Sequence, residues 1–170
     1  PEQAATRFTL NSIKLNGATA FPDTELQSIY TTKLGNQITV GELYAIVEQI
    51  RQHYMEAGYT LSNVSLRTDT IAQGHVVLDV IEGYVGNVVI DPSLSDAPIL
   101  RSFVAEVKAM HPLNTKRLER LMLVLNARPA LQVSAILSAP TAAEAQRGNV
   151  TLTLQPKAQL TPRSFVTFDN

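Results

Sequence analysis

The strongest constraint in this sequence is that its order of elements repeats. Ile13 and Leu15 alternate on a strand, and Val88 and Ile90 do the same in the second half. Thr39 stands at capping-box spacing from Glu42 and opens a helix, and Thr115 opens its counterpart. Val76, Leu78 and Val80 alternate after Gly74, and Val150, Leu152 and Leu154 alternate after Gly148. The three offsets, all of about 75 residues, agree in element type while few residues match, so the chain predicts two copies of one supersecondary unit.

In the first copy Phe8 to Asn16 reads as a strand that changes phase, with Phe8 and Leu10 on one parity and Ile13 and Leu15 on the other. A bulge or bend near Asn11-Ser12 reconciles them. A short helix follows Pro22, with Asp23 as its N-cap and Leu26, Ile29 and Tyr30 at helical spacing. The helix opened by Thr39 carries Leu43, Ile46, Val47, Ile50 and Tyr54 on one face and stops at Gly58. Leu61 to Arg67 alternates, with Val64 and Leu66 on one side, and Gly74 leads into a second alternating run, so the two runs predict a hairpin with a tight turn. Glu82-Gly83 closes the unit.

In the second copy Asp96-Ala97-Pro98 opens a helix with Ile99, Phe103, Val104 and Val107, and Thr115 caps one with Leu118, Leu121, Met122 and Leu125. Pro129 ends that helix. Leu131, Val133, Ala135 and Leu137 alternate, Gly148 turns the chain, and the last strand follows. Ser164 to Asn170 reads as the start of a further strand without a partner, which predicts that more chain follows; Pro1 in place of Met predicts a processed or cut N-terminus.

Composition narrows the function. The net charge of −1 argues against nucleic acid. Residues 1–86 carry 5 Lys/Arg against 9 Asp/Glu and residues 87–170 carry 9 against 6. The second half is the better place for an acidic or polar partner, unless the imbalance is chance. With no cysteine, disulfides, thiolate zinc sites and a Cys nucleophile are excluded. His53, His75 and His111 stand alone and read as surface or interface residues. Asp79 and Glu82 fall on opposite faces of a strand end and make no carboxylate pair. Gly83-x-x-Gly86 lacks the Lys and helix of a phosphate loop, and no serine sits in an elbow motif. The sequence predicts no enzyme, no cofactor, no metal and no small-molecule substrate.

The β-α-α-β-β order resembles the POTRA (polypeptide-transport-associated) domain. The first copy is similar to the first POTRA of two-partner secretion transporters, the group that exports haemolysins and filamentous haemagglutinins. The similarity rests on Phe8-x-Leu10-x-x-Ile13-x-Leu15-x-Gly17 with Phe21, on Tyr54-x-x-x-Gly58-Tyr59, on Gly74-x-Val76-x-Leu78 and above all on Val80-Ile81-Glu82-Gly83-Tyr84-Val85. The second copy matches more loosely through Leu118-x-Arg120-x-x-x-x-Leu125-Asn126-x-x-Pro129 and Gly148-x-Val150-x-Leu152, with Ala130 where the family usually has Gly. Phe168-Asp169-Asn170 resembles the family's first barrel strand.

The resemblance implies an α+β fold of two tandem POTRA domains, each a three-stranded sheet with two helices on one face. A tail over 1–7, domains over 8–85 and 86–157, and a linker with the first barrel strand over 158–170 follow from it. The short join at Glu82 to Gly86 predicts a semi-rigid pair. It also implies a place on the periplasmic side of a Gram-negative outer membrane. The implied partners are a secreted exoprotein, met through its N-terminal secretion domain, and the chain's own C-terminal β-barrel. In the family the second strand of each unit lies at a sheet edge, where an extended client can add a strand. Leu61–Arg67 and Leu131–Leu137 are then the client-facing strands. The expected main site is the groove between helix 115–126 and strand 131–137: Leu131, Gln132, Val133, Ser134, Ala135 and Ile136, with Lys116, Arg117, Arg120 and Arg128 nearby. Those cations also read as ordinary solvated charges. The competing expectation is a POTRA scaffold that holds folded proteins in a barrel-assembly or cell-division complex.

Overall fold

The computed structural model describes residues 6–129, 131–139 and 141–157. The expected strand over 164–170, the linker before it and the turn at Ala130 lie outside the described residues. Strands β1 (Arg7–Thr9) and β2 (Ser12–Asn16) lead to helix α1 (Asp23–Ser28), strand β3 (Gln37–Thr39), helix α2 (Val40–Ala57) and strands β4 (Asn63–Arg67) and β5 (His75–Ile81). Strand β6 (Tyr84–Ile90), helices α3 (Pro98–Ala109) and α4 (Thr115–Asn126), strand β7 (Val133–Ser138), helix α5 (Ala142–Gln146) and strand β8 (Asn149–Pro156) complete it.

Two three-stranded sheets result, ordered β2-β5-β4 and β6-β8-β7. In each, the last strand is central. It runs parallel to the first and antiparallel to the second, with Leu78 between Leu15 and Leu66, and Leu152 between Val88 and Leu137. The helices cover one face and form separate cores, one around Leu43, Ile50, Tyr54 and Leu78, the other around Leu100, Leu113, Leu125 and Leu152. The α+β tandem is the expected one.

The helix α2 forms as its sequence dictates. Glu42 N donates to Thr39 Oγ1 at 3.1 Å and Thr39 N to Glu42 Oε2 at 2.9 Å, closing the capping box. Leu43, Ile46, Val47, Ile50 and Tyr54 are its buried stripe, and Gly58 ends it at φ 98, a conformation that favours glycine.

Four local expectations are corrected. The strand over Phe8–Asn16 is two strands: the chain leaves one ladder at Leu10, pairs β1 antiparallel with β3, then joins the main sheet through β2. The break falls where the parity changed, and Asn36 O and Gly74 O take the Leu10 and Asn11 amides there at 3.0 and 2.8 Å. Asp23 is the first helical residue after Pro22 and makes no cap. The turn between β4 and β5 is a 3₁₀ segment, Thr68–Gln73, rather than a tight one. Thr115 is likewise the first helical residue. Asn114 is the cap, its Oδ1 accepting from Arg117 N at 3.1 Å, while the Thr115 hydroxyl turns back to Gly58 O at 3.0 Å. Asn114 therefore corresponds to Thr39 at the same offset that relates Val88 to Ile13, and the cap is in step with the first strands.

These bonds also join the domains. Gly58 O accepts from Thr115 N at 2.8 Å, Asn114 Nδ2 donates to Ala57 O at 2.9 Å, and Lys116 Nζ donates to Glu56 O. The carbonyl end of α2 thus meets the amide end of α4, an arrangement both helix dipoles favour. Asn114→Ala removes a cap and a joint contact together and is expected to lower stability by about 0.5–2 kcal/mol, read by urea unfolding.

Candidate protein-binding edge

The central position of β8 leaves β7 with one paired side and one open side. Lys157 N donates to Gln132 O at 2.9 Å, so 132 and 157 are a hydrogen-bonded pair. In an antiparallel ladder such pairs alternate. Ser134, Ile136 and Ser138 therefore bond to β8, while Val133, Ala135 and Leu137 turn their N–H and C=O groups outward. Asn126 meets the first of these: its Nδ2 donates to Val133 O at 2.9 Å and its Oδ1 accepts from Val133 N at 2.7 Å. Ala135 and Leu137 have no such partner among the described residues.

Beside this edge runs a groove of about 550 Å³, lined by Thr115, Leu118, Glu119, Met122, Leu123 and Asn126 of α4 and by Ala135 and Leu137 of β7. The α4 residues recur at three- and four-residue steps and so form one stripe of the helix. Leu123 is 71% exposed, an apolar side chain held in water beside an unpaired strand. An unpaired edge beside an apolar groove is the arrangement that an added strand needs, with main-chain groups along β7 and apolar surface over the groove.

The structure divides the residues expected here. Ala135 lines the groove. Ser134 and Ile136 lie on the opposite face of the sheet, with Ile136 at 47% exposure. Val133 is buried in the core, and Leu131 packs against it. Gln132 braces the turn, its Nε2 donating to Asn126 O at 2.9 Å and to Arg128 O at 3.2 Å. Lys116, Arg117 and Arg120 do not line the groove. Lys116 reaches the domain joint, Arg117 pairs with Glu106 at 2.8 Å, and Arg120 Nε donates to Lys116 O at 3.3 Å. Arg117 and Arg120 border a separate polar cleft of about 480 Å³ between the domains, with Thr19, Tyr59 and His111. Arg128 is exposed in the turn after α4. The groove's own residues, Leu118, Glu119, Met122, Leu123 and Asn126, were legible as a helical stripe. In the sequence, Lys116, Arg117 and Arg120 stand out by charge, and the stripe only by its three- and four-residue spacing.

The histidines sit at surfaces. His53 Nε2 lies 2.7 Å from Glu25 Oε1, His75 Nδ1 bonds the Ser12 hydroxyl at 2.8 Å, and His111 packs on Tyr84 with ring centroids 4.2 Å apart. Among the described residues no group of three His, Cys, Asp or Glu could hold a metal. No described helix is long and apolar enough to cross a membrane.

The segment Ile81-Glu82-Gly83 proves to be structural. Glu82, only 9% exposed, accepts from Thr19 N at 2.8 Å, Ala20 N at 2.9 Å and the Tyr54 hydroxyl at 2.8 Å, and also from the Thr19 hydroxyl. Burial pushes the Glu82 carboxyl up, but the bonds from Thr19, Ala20 and Tyr54 outweigh it and hold the group below its ordinary value. Burial, with Glu82 alongside, pushes the Tyr54 hydroxyl up. Phe21, Tyr54 and Tyr59 pack edge-on around this site at centroid distances of 4.9 to 6.1 Å. Gly83 is needed because a Cβ there would lie 2.5 Å from Leu61 Cβ, while its carbonyl accepts from Leu113 N at 2.7 Å.

Residues 8–83 match the model of the POTRA domain, ShlB-type. Among solved structures, CdiB from Escherichia coli shares the fold at a TM-score of 0.74 and 20% identity, over 91% of this chain and 28% of that one. CdiB from Acinetobacter baumannii gives 0.69 at 20% identity, over 91% and 30%. The N-terminal domain of Omp85 from the cyanobacterium Thermosynechococcus elongatus gives 0.69 at 20% identity, over 89% and 67%. The chain therefore spans less than a third of either CdiB chain. No curated protein sequence matches it. The match to the POTRA model covers the first unit alone, and the likeness to CdiB and Omp85 extends the shared fold over both units. The first is of the ShlB type, which bears out the resemblance seen in the sequence, and the second repeats its fold.

Glu82 makes the fold sensitive to acid. Its folded-state value is lowered, so its contribution is whole above the ordinary glutamate range and is lost as pH falls through the lowered value. Glu82→Gln is expected to be less stable at pH 7 by about 1–3 kcal/mol, from the loss of charged acceptors. The gap to the parent protein narrows on acidification, checked by urea unfolding between neutral pH and pH near 3.

Proposed function

We propose that this chain is the periplasmic, client-recognising part of an outer-membrane two-partner secretion transporter. In this reading it captures the N-terminal secretion domain of a secreted exoprotein by strand addition at β7 and passes it to the chain's own C-terminal barrel. The observation that carries the reading is the open β7 edge beside an apolar groove, in a chain whose first domain matches the ShlB-type POTRA. The β4 edge of the first domain is the weaker candidate, because Arg51 donates to Val64 O at 3.1 Å and occupies part of it.

Ala135 and Leu137 offer two N–H and two C=O groups. At about 1 kcal/mol net for each bond, and against the cost of association, such capture is weak. Weak capture suits a client that must move on. Positive charge plays a smaller part than the composition suggested, since Lys116, Arg117 and Arg120 face away from the groove.

Titrating the labelled chain with the secretion domain tests the reading by NMR. Shifts are expected at Ala135, Leu137 and along 118–126. Leu123→Asp, at an exposed position that spares the core, is expected to weaken binding about tenfold, near 1.4 kcal/mol. No shift at millimolar client would reject capture and leave the alternative, a scaffold that holds folded partners.

A further inference from the structure

Asn126 does at Val133 what one residue of an added strand would do. Its carboxamide has the planar donor-and-acceptor form of a peptide group, and it satisfies both outward groups of Val133, at 2.9 and 2.7 Å. The side chain is fixed at the last residue of α4, and Gln132 holds its main chain through Asn126 O at 2.9 Å. The first domain has a related device. Arg51 stands to Asn126 in the repeat as Thr39 stands to Asn114, and it reaches from α2 to the main chain of its own edge strand, at Val64 O. In both domains, then, a helix side chain takes up part of the edge that a second strand would use. The asparagine takes both groups of its residue, while the arginine takes one.

We propose that Asn126 is a register stop. A strand added to β7 bonds Ala135 and Leu137 and cannot advance to Val133, so the client meets the groove in one frame. This rests on the strand-addition reading above and goes beyond it, because it assigns the residue that sets the frame. A one-residue slip would turn every client side chain to the other face, and a two-residue slip would move each one along the groove, away from Leu118, Met122 and Leu123. Glu119 is the one ionisable group among the described residues that line the groove. The segment that fits is therefore extended, apolar on alternate residues and basic where it passes Glu119.

The test uses the whole chain and a synthetic peptide, acetyl-Lys-Val-Thr-Val-Thr-Val-Thr-amide, with a nitroxide at either end. In the free protein the Val133 amide is expected to exchange about tenfold or more slowly than those of Ala135 and Leu137. With peptide, protection should rise at Ala135 and Leu137 alone, and each nitroxide should broaden one set of residues. In Asn126→Ala a second frame, displaced by two residues and bonded to Val133, should appear. If the peptide instead occupies two frames on the unmutated protein, displacing Asn126, the register stop is overturned while strand addition stands. If neither Ala135 nor Leu137 gains protection, both ideas fall. Should Asn126→Ala not fold, the unmutated protein still decides: a Val133 amide that exchanges as fast as that of Ala135 overturns the stop.

Discussion

The shape of both sheets follows from the last strand of each unit taking the centre. With β5 and β8 between their neighbours, both outer strands of each sheet lie at edges, the first paired parallel and the second antiparallel. The first strand reaches its parallel place through the helical crossover that parallel pairing requires, so the helices lie over one face. The second strand is left with half its main-chain groups unbonded and an amphipathic helix alongside. An edge in that setting is either protected or used. In the first unit Arg51 partly closes it; in the second, two residues of β7 stay open beside an apolar groove.

The most recognisable stretch of the sequence does something else. Glu82, Gly83, Tyr54, Gly58, Tyr59 and Phe21 converge where the first domain ends and the second begins. A carboxylate buried under several donors fixes the loop after β2 against α2, and the glycine beside it lets Leu61 approach. The joint continues through Asn114, Thr115 and Lys116 onto the carbonyl end of α2. Several polar contacts thus meet at one place between the two helix ends. The strongly patterned residues position the edge strands, and the edge itself is plainer in sequence.

That difference explains what could be read in advance. The periodicity of α2, the alternation in β4 and β7 and the repeat that relates the two halves come from burial, which leaves a strong local signal. The division of Phe8–Asn16 between two sheets showed only as a change of parity, because the partner strand β3 is three residues long and has no pattern of its own. Asn114 and Thr115 are both good capping residues, and only the position of Gly58 O decides between them. At the site, the cluster Lys116, Arg117 and Arg120 drew attention by charge, yet helix phase turns it to the domain joint. The hydrogen-bond phase of β7, which decides that Ala135 and Leu137 are open and Val133 is not, depends on register against β8 and left no trace in composition.

The shortness of the open β7 edge bears on how copies of the chain would meet through it. A long exposed strand is a template on which identical molecules stack. Here the side chain of Asn126 covers Val133 at one end, and β7 stops at Ser138 at the other. Two copies meeting through their β7 edges would share the hydrogen bonds of only two outward residues each, too few to hold without a groove-filling side chain between them. Through β7, one molecule thus offers another little to pair with.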